Sequence, residues 1–393
     1  MNTRYRLNVG FVGLIGGFIG QHRLAAVRSV ITPGMFVNAC VPGPKDKFDK
    51  FKPQAEMMGF EPKRIYPTLA AMLNAEPDLD IVVVNTPNFL HEESCLAAAE
   101  AGKHIICDKP LAHTLESADQ ILAAIKQAGV YSCNTPTYTA HPPMLEARHR
   151  IRDAGIAHRI RGGRFAYYQD WLAQKQSDMT PNTGSVQAEW RRDPKKSGAG
   201  GSSGDLVSHI IHQIESMTGL KITKVCARRR WVVEGEISGF TEDEVVATLI
   251  LENGAEIQVH STQWTGGHKN DNQWELWLDK RISFGWNQRC PEILWTTGED
   301  GVKRELNRGD FQSPLLGASQ TMPAFHDDGW IKADSRLAQS IGRQVGNCTP
   351  EDITPPFHPD FRIGRNVVAV IDAIIRSSNA ETPGLFVDVN WID

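Results

Sequence analysis

A chain of 393 residues is longer than one compact core usually supports and suits two domains. Hydrophobic residues make up 41% and charged residues 22%, ordinary for a globular protein, and a net charge of −4 argues against a nucleic-acid-binding face. The apolar runs fall well short of the roughly 20 residues that cross a bilayer, so no membrane partner is expected.

The first residues, MNTRYRLNVGFVG, lead into a strand-like run without a signal-peptide core. Seven dispersed cysteines with no C-x-x-C pair suit a reducing compartment, and the cytoplasm is the expected location. β-rich runs at Leu7–Val12, Phe36–Val41, Ile81–Asn85, His104–Cys107 and Val130–Cys133 alternate with helical stretches such as Glu92–Ala101 and Leu115–Ala128. That alternation predicts βαβ units and a parallel sheet covered on both faces. Pro136, Pro142 and Pro143 break the pattern, which places a boundary between a domain of residues 1–137 and another of residues 138–393.

Beyond it, Ala247–Leu251 and Glu256–His260 flank Glu252-Asn253-Gly254, and Leu294–Thr297 and Lys303–Leu306 flank Gly298-Glu299-Asp300-Gly301. Strands joined by tight turns predict an antiparallel sheet. All ten tryptophans lie in this second part, where they are expected to fill a sheet face or a subunit interface.

The run Gly13-Leu-Ile-Gly16-Gly17-Phe18-Ile19-Gly20 follows the first strand and opens a helix. Glycine at such a turn lets backbone N–H groups approach a pyrophosphate at a helix N-terminus. The run is two residues longer than G-x-G-x-x-G, with Gly17 and Gly20 keeping the final spacing. No acidic residue precedes Asp46 at the end of the second strand, where one usually holds an adenosine ribose. Lys45 and Lys47 suit either a 2′-phosphate or a solvated helix start, so NAD and NADP both stay open.

Two constellations carry chemistry. Cys107-Asp108-Lys109-Pro110 stands at the carboxyl end of a parallel strand, where ligands bind in open α/β sheets, although Asp-Lys-Pro without that context more often makes a surface turn. A lysine there stabilises negative charge developing on a substrate oxygen. In the second, a small-residue loop from Ser197 leads to Gly204-Asp205, His209 and His212, at i, i+4 and i+7 on one helix face. Ser202 or Ser203 is placed to cap that helix. His209 suits a general base near neutral pH. A first-turn acid beside a buried histidine is the plainer alternative. A metal set is a third, but no H-E-x-x-H or additional carboxylate supports it.

Together these residues resemble the glucose–fructose oxidoreductase, inositol dehydrogenase and rhizopine-catabolism superfamily, Gfo/Idh/MocA. The resemblance covers nearly the whole chain: the glycine-rich turn with His22 after it, Thr86-Pro87-Asn88 with His91, Asp108-Lys109-Pro110, and Gly204-Asp205 leading to His209. It implies an α/β fold, with an N-terminal Rossmann domain and a C-terminal α/β domain whose large, mostly antiparallel open sheet is often used for oligomer contacts. A homo-oligomer, tetramer or dimer, is therefore expected. The resemblance gives Lys109 contacts with substrate and nicotinamide ribose, Asp205 the reacting hydroxyl, and His209 the acid/base role. Gly13, Gly17, Phe18, Ile19, Gly20, Thr86, Asn88, His91, Asp108 and Lys109 become the expected cofactor-binding set. Asp108 stands where many members have Glu, and Val207 where glycine is usual.

Tyr168-Gln169-Asp170-Trp171, Trp190-Arg191-Arg192-Asp193-Pro194 and the segment from Pro323 to Trp330 resemble a longer-chain branch associated with inositol-like and sugar oxidation. Tyr138, Trp171, Arg191, His209 and His326 are the expected substrate contacts, each with a structural alternative such as an ion pair or core aromatic. The expected activity is NAD(P)-dependent oxidation of a secondary hydroxyl of a cyclic polyol or sugar, without metal. NAD-assisted epimerisation or glycoside cleavage and a non-catalytic NAD(P) sensor are the alternatives.

Overall fold

The computed structural model describes residues 6–15, 18–29, 32, 34–173, 190–198, 200–232, 240–316, 329–346, 356–382 and 384–393. The chain divides into two compact units, one of residues 1–140 with 328–365 and one of residues 141–327 with 366–393.

The first unit runs β1 (Leu7–Val12), α1 (Phe18–Val27), β2 (Met35–Val41), α2 (Phe48–Met57), α3 (Leu69–Ala75), β3 (Ile81–Val84), α4 (His91–Glu100), β4 (His104–Asp108), α5 (Leu115–Ala128) and β5 (Ser132–Thr135). The strands form one parallel sheet in the order β2-β1-β3-β4-β5. Every residue of the Ile-Val-Val-Val strand β3 is buried, as a sheet covered on both faces requires. Helix α5 has the limits expected from sequence because its signals are local: the Thr114 hydroxyl accepts from Ser117 N–H at 3.1 Å, and Gly129 ends the helix at φ 64°. Strand β5 lies two residues later than its apolar run suggests. Its polar side chains are buried and paired: Asn134 Nδ2 donates to the carbonyls of Cys107 and Asp108, and Thr135 Oγ1 to that of Cys107.

The second unit begins with α6 (Pro142–Arg148), which continues as a π-turn to Asp153, followed by β6 (Ile160–Tyr168). A π-turn, Ser203–Val207, then leads into α7 (Ser208–Thr218). Strands β7 (Ile222–Arg230), β8 (Glu244–Leu251), β9 (Glu256–Thr262), β10 (Asp271–Leu278), β11 (Ser283–Asn287), β12 (Leu294–Thr297) and β13 (Lys303–Leu306) follow. Later in the chain come α8 (Trp330–Val345), which belongs to the first unit, then α9 (Phe361–Ser378) and β14 (Val387–Asp388).

Nine strands form the second sheet in the order β13-β12-β11-β10-β6-β9-β8-β7-β14. Every pairing is antiparallel except β6 with β9. The β8–β9 turn forms because Gly254 takes φ 83° and Asn253 Oδ1 accepts from Ala255 N–H. Helix α7 packs on α6 and β6, and Trp274 and Trp286 are buried in this unit. Residues 329–346 were expected in the second domain, yet Ala333, Leu337, Ala338 and Ile341 of α8 share the core of Val9, Phe11, Leu24 and Val27.

Candidate functional site

The first cluster of expected site residues gathers at the carboxyl ends of β1, β3 and β4. At Gly13 the chain leaves β1 with φ 79°, and a Cβ there would lie 2.8–2.9 Å from the backbone of Asn85 and Thr86. A Cβ on Gly20 would lie 2.5–2.6 Å from the carbonyl oxygens of Leu14 and Gly13. Only glycine lets α1 start this close to the turn. Gly13 N–H donates to Val41 O at 3.0 Å and Ile15 N–H to Pro42 O at 2.7 Å, which fixes the turn against the end of β2.

Ile19 follows in the first turn of α1, which begins at Phe18, whereas Gly16 and Gly17 lie outside the described residues. Among the described residues, both side-chain amide atoms of Asn85 and the Thr86 hydroxyl are buried without a hydrogen-bond partner. Buried polar groups left so cost about 1–3 kcal/mol each, and a polar ligand such as a dinucleotide would relieve that cost. The glycine cradle and these orphaned atoms therefore fit NAD(P).

His91 begins α4 fully buried. Its Nε2 lies 2.8 Å from Thr86 O, and its Nδ1 lies 3.1 Å from Pro110 O and 3.2 Å from Leu111 O. The ring thus ties the loop carrying Thr86 and the half-buried Asn88 to the turn carrying Lys109. Burial lowers the affinity of His91 for a proton, against the opposing pull of Asp108 and those carbonyls. Asp108 ends β4, and its Oδ1 receives Thr135 Oγ1 at 3.3 Å and Arg23 Nη2 at 3.1 Å. Lys109 follows, half-buried, before a cis peptide to Pro110.

The second cluster lies in the other unit. Asp205 sits in the π-turn Ser203–Val207, a wider turn than the regular α-helix expected from its spacing to His209 and His212. Neither Ser202 nor Ser203 caps this segment through its side chain. Ser202 Oγ is 2.8 Å from Ser261 Oγ, while Ser203 donates both N–H (2.9 Å) and Oγ–H (2.6 Å) to Glu242 Oε1. A distant carboxylate therefore does the work of the N-cap, and a Cβ on Gly201 would strike Glu242 O at 2.1 Å.

Asp205 Oδ2 accepts from Gln263 Nε2 at 3.1 Å, and its Oδ1 lies 3.8 Å from Arg191 Nε. Arg191 also stacks over Trp190 at 5.0 Å. Leu172 N–H donates to Gln263 O, bringing the Trp171 segment to the same residue. His209 is almost wholly buried and faces the ring of Tyr167 at 5.9 Å between centroids. The structure thus assembles Asp205, Arg191 and the Trp171 segment around Gln263. No part of Tyr138 is solvent-accessible, so this ring offers a substrate no surface as it stands. His326 lies outside the described residues. Among the described residues, no group of three or more His, Cys, Asp or Glu side chains gathers as a metal site would require.

Gln263, Asn85, Glu242 and Arg23 lie outside every motif. For Arg23 there is a signal: it falls on the apolar face of α1 among Leu24, Ala26 and Val27, where a charge demands a partner. The other three are single polar residues at strand ends, with no pattern to mark them.

Comparison with known proteins gives the same two parts. Residues 7–135 match the oxidoreductase family with an NAD-binding Rossmann fold, and residues 144–282 match the GFO/IDH/MocA C-terminal domain. The chain is 29% identical to levoglucosan dehydrogenase of Pseudarthrobacter phenanthrenivorans, covering 98% of each sequence. A solved levoglucosan dehydrogenase in complex with NADH and levoglucosan superposes with a TM-score of 0.79 at 25% identity, over 98% of this chain and all of that one. An inositol dehydrogenase homologue from Azotobacter vinelandii, complexed with NAD+, shares the fold at a TM-score of 0.85 and 23% identity, over 99% and 100% of the two chains.

Proposed function

Since the chain belongs to the Gfo/Idh/MocA oxidoreductase family, we propose that it oxidises a secondary hydroxyl of a cyclic polyol or sugar to a ketone with NAD(P)+. The observation that carries this reading is the glycine cradle beside the Asp108-Lys109 turn in the first unit; the second unit supplies a carboxylate and a histidine, Asp205 and His209. NAD(P)+, when bound, supplies the acceptor for the hydride that leaves the carbinol carbon.

The chain's own residues do the rest. Asp205, oriented by Gln263, accepts a hydrogen bond from a substrate hydroxyl beside the reacting one, which leaves the reacting proton to His209. His209 removes the hydroxyl proton, a role typically worth about 10²–10⁴ in rate. The Lys109 ammonium stabilises the oxygen as negative charge grows on it. Arg191 and Trp171, held at the same strand ends, contact neighbouring hydroxyls and a ring face. We also assign the protein to a homo-oligomer, for which the exposed Val246 and Trp277 on sheet strands β8 and β10 speak.

Absorbance at 340 nm tests the reading with NAD+ and NADP+ in turn against levoglucosan, inositols, aldoses and glucosides. A rise with one cofactor and one substrate group supports it. A flat trace across the panel, with NADH still bound, would instead favour cofactor-assisted chemistry without net redox or a sensor.

A further inference from the structure

Arg23 is 1% exposed, yet it carries a full charge into the interior of the first unit. Its Nη1 lies 2.6 Å from Asp334 Oδ1 on α8, and its Nη2 lies 3.1 Å from Asp108 Oδ1 at the end of β4. Asp334 is buried as well and accepts from Thr137 Oγ1 at 2.6 Å. One guanidinium thus joins the helix that opens the glycine turn, a helix more than 200 residues away in sequence, and the residue preceding Lys109.

Well-packed apolar side chains usually stabilise a core at least as well as a buried ion network. A network kept at this place therefore calls for a role beyond stability. Asp108 Oδ1 is occupied by Arg23 and Thr135, whereas Oδ2 has no partner among the described residues, and the side chain retains 18% of its surface.

We propose that Arg23, anchored by Asp334, is the positioning residue of the Asp108-Lys109 turn. It holds Asp108 by Oδ1, so that Oδ2 is kept for a hydroxyl of the nicotinamide ribose, and it fixes the strand end that carries Lys109. The inference rests on the NAD(P)-dependent reading above. Arg23 itself touches neither cofactor nor substrate. Asp334 fixes where the guanidinium sits, so the position of α8 against the sheet is read out at the cofactor site.

The test is NADH binding, followed by fluorescence on the full chain, which needs no substrate. Arg23→Met keeps the apolar stem and removes the charge. It should raise the NADH dissociation constant about tenfold or more, the loss expected for one charge-assisted hydrogen bond. Combined with Asp108→Asn, it should add nothing beyond what Asp108→Asn costs alone. Should Arg23→Met fail to fold, Arg23→Lys and Asp334→Asn replace it, each expected to weaken NADH at least about threefold, a difference well below the worth of one such bond. Variants that lose thermal stability but bind NADH as the wild type does, or that add independently to Asp108→Asn, would reduce Arg23 to a structural ion pair and overturn the proposal. Wild-type protein that binds neither NADH nor NADPH would overturn the cofactor reading, and this inference with it.

Discussion

Gln263 Nε2 lies 3.1 Å from Asp205 Oδ2, and the same residue accepts the Leu172 N–H through its backbone carbonyl. The end of β9 therefore helps to set the orientation of the candidate hydroxyl-binding carboxylate. Gln263→Glu keeps the shape but sets an acceptor against an acceptor and a second negative charge beside the first. It should lower kcat/KM by about tenfold or more, the worth of a hydrogen bond to a charged group, while NADH affinity stays within about twofold. Steady-state kinetics with parallel NADH titration checks it, and an unchanged kcat/KM would remove Gln263 from the account.

The glycine turn makes a prediction about cofactor and stability together. Gly20→Ala drives a Cβ to 2.5–2.6 Å from two backbone carbonyl oxygens, which cannot move aside as a flexible side chain would. Gly13→Ala adds a left-handed residue, about 1–2 kcal/mol of strain, to a clash with Asn85 and Thr86. Both variants should lower Tm and abolish measurable NADH binding, whereas Gly129→Ala, also left-handed at φ 64° but with open space around it, should lower Tm by that strain alone and bind NADH normally. Calorimetry and NADH titration on the three variants check this ordering.

The buried His91 and the half-buried His358 contribute to a pH signature. Burial lowers His91, and lowers His358 to about 4. His358 Nδ1 lies 2.8 Å from Ser340 Oγ, whose oxygen accepts the Phe357 N–H, so the neutral ring is the acceptor the hydroxyl needs. In the unfolded chain both rings titrate near their ordinary value of about 6.5. Between that value and the lower folded one the unfolded state binds more protons, so stability is full above about pH 6.5 and is lost as pH falls toward about 4. A pH series of thermal unfolding should show Tm falling through that window, with a shallower fall in His358→Gln. An equal slope in wild type and variant would contradict the assignment.

Much of the fold was legible because its signals are local. The apolar runs of β1, β3 and β4, the Thr114 and Gly129 caps, and the Asn253-Gly254 turn each depend on a few neighbouring residues. The misplacements have the opposite cause. Strand β5 is polar in sequence and becomes strand through the bonds of Asn134 and Thr135 to β4. The helix carrying His209 starts as a π-turn because Glu242, 39 positions beyond Ser203, takes up its first donors. Helix α8 joins the first unit through a core that chain order does not announce. Among the candidate site residues, Lys109, Asp205 and His209 come from motifs, whereas Gln263, bonded to Asp205, and Arg23, bonded to Asp108, lie far along the chain; Gln263 leaves no spacing to read, and Arg23 only a charge on an apolar helix face.

The most direct test of the central claim is the turnover of Lys109→Ala, measured at 340 nm with the substrate found by the panel and compared with its NADH affinity. Loss of at least about a hundredfold in kcat, with NADH dissociation changed by much less, is the predicted result for a group that stabilises charge in the transition state. A variant that keeps more than about a tenth of the wild-type rate, below the weakest contribution expected of such a group, would contradict the role given to Lys109 and the mechanism built on it.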